Sequence, residues 1–121
     1  MKIMIVDDSK AMRQIIRRSL RQAGFENHDY TEAANGIEAL AAIEADSPDL
    51  VLSDWNMPDM SGIELLGALM AAGKNVRFGF ITSESSASMR STAADAGALF
   101  LLAKPFTPDT LRETLAPFIP A

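Results

Sequence analysis

The chain contains no cysteine, and only one tryptophan, one tyrosine and one histidine. Without thiols there are no disulfides, no thiolate nucleophile and none of the usual structural zinc sites, which fits a reducing compartment. Apolar residues make up 48% of the chain, yet no uncharged apolar run approaches the roughly 18 to 20 residues that cross a bilayer. The apolar stretch after Met1-Lys2 breaks at Asp7-Asp8, too early for the core of a signal peptide. A cytoplasmic protein without membrane contact is expected. Positive charge is also scarce: 11 Lys and Arg stand against 16 Asp and Glu, and the net charge of -5 argues against non-specific nucleic-acid binding. Repeats, low-complexity tracts and linkers are missing, and 121 residues suit a single domain over 1–121. The lone His28 has no second ligand or acid partner at an obvious spacing and receives no role.

What is present is a set of short apolar runs, each ending in chemistry. Ile3-Met4-Ile5-Val6 runs into Asp7-Asp8, and Leu50-Val51-Leu52 into Ser53-Asp54-Trp55-Asn56-Met57-Pro58. Arg77 to Ile81 runs into Thr82-Ser83, and Leu99 to Ala103 into Lys104-Pro105. Between these runs lie helical patterns. Ser9 to Ala23 places Met12, Ile15, Ile16 and Leu20 at helical spacing and ends at Gly24, with Arg13, Arg17, Arg18 and Arg21 read as a solvated face. Asn27 to Ala33 reads as an edge strand. Asn35-Gly36 opens a helix expected to turn Ile37, Leu40, Ala41 and Ile43 inward. A third helix carries Leu65, Leu66, Leu69 and Met70 to Gly73. The fourth is small and weakly apolar, with Met89, Ala93 and Ala96, capped from Glu84-Ser85-Ser86 and closed by Gly97. The last follows Thr107-Pro108 and presents Leu111, Leu115 and Phe118.

Strands alternating with helices across short connections predict an α/β fold, a doubly wound five-stranded parallel sheet of flavodoxin-like order 2-1-3-4-5 with helices on both faces. In that order the carboxyl ends of the strands converge at the switch point, gathering Asp7, Asp8 and Asp54. Bare carboxylates about 4 Å apart repel by roughly 4 kcal/mol at an effective dielectric of 20, so the cluster wants a cation. Magnesium suits a few carboxylates, a carbonyl and waters, with places left for phosphate oxygens. Asp8 and Asp54 are the expected direct ligands, Asn56 contributes its backbone carbonyl, and Asp7 acts through water. Lys104 adds a positive point charge and Thr82 a hydroxyl, which together stabilise a transferring phosphoryl group. A carboxylate nucleophile in such a site yields an acyl phosphate.

These motifs, in this order over essentially the whole chain, resemble response-regulator receiver domains, most closely the single-domain CheY-like chemotaxis regulators. The resemblance implies that Asp54 accepts a phosphoryl group from the phosphohistidine of a histidine kinase or phosphotransfer protein. It implies that Asp7, Asp8 and Asn56 surround Mg2+, that Thr82 and Lys104 bind the phosphoryl oxygens, and that the Lys104-Pro105 bond is cis. Phosphorylation would then switch affinity for a target protein through the face formed by residues 86–118, in a monomer that is a switch and not an enzyme. With no output domain after Ala121, output is expected by contact with another protein. One position departs from the family pattern. Three residues before the lysine, where Tyr or Phe is usual, stands Leu101, with Phe100 one residue earlier.

Other readings compete. The acids could be turn formers on a flavodoxin-like fold, or the fold could carry a flavin. A flavin carrier wants a phosphate-cradling Ser/Thr/Gly loop where this chain has Asp7-Asp8. A metal-dependent phosphatase shares the aspartate and magnesium, but 121 residues leave no room for a substrate-specificity insertion.

Overall fold

The computed structural model describes residues 1–120. Strands and helices alternate without exception: β1 (Lys2–Val6), α1 (Lys10–Gln22), β2 (Asp29–Ala33), α2 (Gly36–Ala45), β3 (Leu50–Ser53), α3 (Gly62–Ala71), β4 (Arg77–Thr82), α4 (Ala87–Ala96), β5 (Leu101–Ala103) and α5 (Pro108–Leu115). All strand pairs are parallel and the sheet runs β2-β1-β3-β4-β5, as expected from the sequence.

The inner strands read as unbroken apolar runs because both of their faces are covered. Alternate side chains supply two cores. Met4, Val6, Val51, Phe78 and Phe80 pack with residues of α2, α3 and α4, whereas Ile3, Ile5, Leu50, Leu52 and Ile81 pack with residues of α1 and α5. Edge strand β2 buries only Ala33, which explains its polar sequence. Each helix starts at a side-chain cap: Ser9, Asn35, Ser61, Ser86 and Thr107 each accept an N–H bond from the first turn. Gly97 ends α4 at φ +104, a conformation that glycine adopts without a Cβ penalty. Among the described residues no helix is long and apolar enough to cross a membrane.

Several side chains depart from the sequence expectation. Ile37 is 54% exposed, because the buried row of α2 is Gly36, Ala39 and Ile43 at steps of three and four; Ala41 also faces out. Met70 leaves the core of α3, and its methyl lies beside Gly97 at the end of α4. Ile15 is exposed beside buried Ile16. β5 begins at Leu101 and not at Leu99, although Leu99 N–H and the Phe100 carbonyl still bond to β4. The fifth helix stops at Leu115, so Phe118 is not its third core position. Phe118 stacks on Phe100 at 5.7 Å, and Ile119 takes the buried place.

Candidate functional site

The sheet order places the ends of β1 and β3 side by side, with Val6 paired to Ser53. The chain then leaves β1 toward one edge and β3 toward the other, which opens the switch-point crevice. Asp7 and Asp54 begin the two departing loops. Asp54 N–H donates to the Val6 carbonyl at 2.8 Å and Asp7 N–H to the Ala33 carbonyl at 3.2 Å, so both acids are held by continuations of the sheet ladder. Asp8 follows at the exposed rim. One oxygen from each of Asp7, Asp8 and Asp54 can be chosen so that all lie within 4.8 Å of one another.

Lys104 reaches this cluster from the end of β5, across a cis Lys104-Pro105 bond. Its Nζ is 2.8 Å from Asp7 Oδ2 and 3.6 Å from Asp54 Oδ2. The other oxygen of buried Asp7 accepts from the Ser9 N–H at 2.9 Å, which leaves both Asp7 oxygens engaged. Asp54 Oδ1 accepts from the Trp55 N–H at 2.8 Å. Burial raises the pKa of Asp54 above the usual aspartate value. The Lys104 ammonium offsets part of the rise, the Asp7 charge adds to it, and the Trp55 amide and Thr82 hydroxyl lower it. Thr82 itself is fully buried at the end of β4. The Glu84 N–H bonds its hydroxyl at 3.4 Å.

Three carboxylates against one ammonium leave two negative charges uncompensated, and all the donors are hard oxygens. That set fits a divalent magnesium ion. The Asp8 carboxylate at the rim and Asp54 Oδ2, which Lys104 approaches only to 3.6 Å, supply the oxygens that would hold it.

Sequence reasoning missed four supports of this site. Gly62 passes so close to Asp54 that a Cβ there would meet the Asp54 carbonyl at 2.1 Å; its N–H bonds the Trp55 carbonyl at 2.8 Å. Phe80 lies under Trp55 with ring centroids 4.8 Å apart. Glu84, read as a capping residue, instead accepts from the Asn56 side-chain amide at 3.0 Å and links the loops after β3 and β4; Ser86 provides the cap. Arg13 leaves the expected solvated face: it donates to the Asp7 carbonyl and to one Glu32 oxygen, while exposed Arg17 donates to the other. The glycine had a signal in its position just after the Asp54 loop. The other contacts join segments far apart in sequence, which local patterns do not report. His28 sits between the Met1 amine and the Pro120 carbonyl, at the opposite end of the strands from the acids.

The response regulator receiver domain family model matches residues 3–116. Chemotaxis protein CheY1 of Helicobacter pylori is 40% identical over 118 residues, covering 95% of this chain and 94% of that protein. Chemotaxis protein CheY-3 of Vibrio cholerae is 42% identical over 117 residues, covering 95% and 88%. The solved structure of Vibrio cholerae chemotaxis protein CheY4 superposes with a TM-score of 0.84 at 34% identity, covering 98% of each chain. The fold, the order of the strand-end groups and these likenesses agree, and the chain belongs to the response regulator receiver family, with CheY-type chemotaxis regulators among its relatives.

Proposed function

We propose that this chain is a cytoplasmic, monomeric response regulator in which Asp54 is the phosphoacceptor. The observation that carries the reading is the acid triad: three carboxylates within 4.8 Å at the strand ends, with the Lys104 ammonium between Asp7 and Asp54. When bound, magnesium supplies the charge neutralisation that lets an anionic phosphoryl group approach these acids. Asp8, Asp54 and the Asn56 carbonyl would hold it, and Asp7, whose own oxygens stay on Ser9 and Lys104, would act through water.

In the reaction a carboxylate oxygen of Asp54 attacks the phosphorus of a phosphohistidine. The P–N bond breaks, its electron pair stays on the imidazole nitrogen, and that nitrogen takes a proton from solvent, so that the donor leaves as neutral histidine. Lys104 and the Thr82 hydroxyl meet the phosphoryl oxygens, so positioned charge and hydrogen bonding supply most of the catalysis. The product is an acyl phosphate on Asp54.

Output passes through the face built from α4, β5 and α5, residues 86–118, to a target protein. The family's action as a phosphorylation-dependent switch supports reading the chain as a switch and not as a turnover enzyme. Phosphotransfer from a phosphorylated histidine kinase or phosphotransfer protein, without sustained turnover of added phosphate esters, is the expected behaviour. Steady hydrolysis of such esters would favour a phosphatase instead.

A further inference from the structure

The acids do not hold their own positions. The Asp7 N–H is fixed by the Ala33 carbonyl at 3.2 Å, from the side of β2. Its carbonyl belongs to the peptide that joins Asp7 to Asp8, and it accepts from Arg13 Nη1. Arg13 Nε donates to Glu32 Oε1 at 2.8 Å, and the other Glu32 oxygen takes Arg17 Nη1 at 2.9 Å. Glu32 stands on β2 one residue before Ala33, so one edge strand grips both the N–H and, through Arg13, the C=O of Asp7. The peptide is planar, and holding its oxygen sets the direction in which Asp8 leaves the chain.

The Arg13 side chain is 14% exposed and that of Glu32 27%, whereas Arg17, at 44%, lies on the surface and only braces Glu32. Burial pushes the Glu32 carboxyl up, but the bonds from Arg13 and Arg17 outweigh it and leave its pKa below the usual glutamate value. The planar guanidinium fork spans two acceptors at once, which an ammonium does less well.

We infer that Arg13, held by Glu32, is a positioning residue for the metal-binding acids: it fixes the Asp7–Asp8 peptide so that both carboxylates face Asp54. The inference rests on the magnesium-dependent reading above. Its sign separates it from plain electrostatics. Removing a cation near a cation site should tighten magnesium binding by charge alone, whereas loss of a positioning group weakens it, commonly by 10- to 100-fold for partners that orient metal ligands.

The test is magnesium titration followed by Trp55 emission in the full chain, alongside thermal melting without metal. The variants are Arg13→Ala, Arg13→Lys, Glu32→Gln and Arg18→Ala, the last removing the same charge from an exposed site on the same helix. Arg13→Ala should weaken magnesium binding about tenfold. Arg13→Lys should fall between wild type and Arg13→Ala, and Arg18→Ala should not weaken it. Glu32→Gln should weaken it less than Arg13→Ala, a direction that loss of an anion also gives, so the sign is read from the Arg13 variants. Magnesium affinity in Arg13→Ala equal to or tighter than wild type, with only the melting temperature lowered, overturns the inference and leaves the proposed function standing. Should Arg13→Ala fail to fold, unchanged affinity in both Glu32→Gln and Arg13→Lys overturns it equally. Absence of any magnesium response in wild type removes the metal reading itself, and the inference with it.

Discussion

Arg90 Nη1 donates to the main-chain carbonyl of Leu101 at 2.9 Å, tying α4 to β5. The bond matters because α4 buries only Ala93 of its own length, so little apolar contact fastens it to the sheet. Leu101 is buried against the same core as Ala93, while Phe100, one residue earlier, points to the opposite face and stacks on Phe118. Gly79 leaves room for that ring, since a Cβ there would meet Phe100 at 2.1 Å. Phe100 therefore cannot stand in for an aromatic at position 101.

The first prediction concerns this joint. Arg90→Ala should speed amide hydrogen exchange in α4 by roughly five- to tenfold, about 1 kcal/mol for one lost hydrogen bond, while exchange in β1 and β3 stays as it was. Leu101→Ala should cost about 2 kcal/mol in chemical denaturation and leave modification of Asp54 intact. Uniform acceleration across the sheet in Arg90→Ala would show that the bond is not what fastens α4 locally.

A second prediction follows from the raised pKa of Asp54. The folded state holds that proton more tightly than the unfolded chain does. The resulting stability is present below the ordinary aspartate pKa of about 3.9 and is lost as pH rises through the raised value. At neutral pH and without metal the ionised Asp54 therefore costs stability. Asp54→Asn should melt at a higher temperature there, and the advantage should vanish in acid. A melting curve for Asp54→Asn at or below wild type near neutral pH contradicts the assignment.

Lys104 serves as the counter-charge of a carboxylate that is only 2% exposed. Lys104→Met leaves Asp7 without its cation and should lower stability by about 3 kcal/mol. Magnesium should restore part of the loss and bind no more weakly than to wild type, since a neighbouring cation is gone. Phosphorylation should nonetheless slow sharply. Denaturant unfolding with and without magnesium checks the first point and Trp55 emission the second; weakened binding would mean that Lys104 acts through geometry.

Magnesium itself should raise the melting temperature and change Trp55 emission, because Trp55 donates to Asp54 and packs on Phe80. At a hundredfold its dissociation constant the stabilisation is about 2.7 kcal/mol. Calcium, larger and tolerant of more ligands, should support phosphorylation less well. If neither signal moves at millimolar magnesium, the acids do not form a metal site.

The strand order and the gathering of Asp7, Asp8, Asp54, Thr82 and Lys104 were legible because central parallel strands are apolar along their whole length and stop abruptly at polar residues. Helix faces were less legible. In α2 and α3 apolar residues lie all round, so spacing alone could not separate buried Ile43 and Leu69 from exposed Ile37 and Met70. Hardest to see were contacts between elements. The partner of Arg13 lies on β2 and that of Asn56 beyond β4, and nothing local to either residue marks it.

The central claim is that Asp54 alone accepts the phosphoryl group. Incubation with a small-molecule phosphodonor and magnesium, followed by intact mass and mapping of the modified residue, tests it most directly. The account predicts one phosphoryl group per chain, on Asp54, base-labile, dependent on magnesium and lost in Asp54→Asn. A full-yield adduct that persists in Asp54→Asn, or that maps to Asp7 or Asp8, would contradict it.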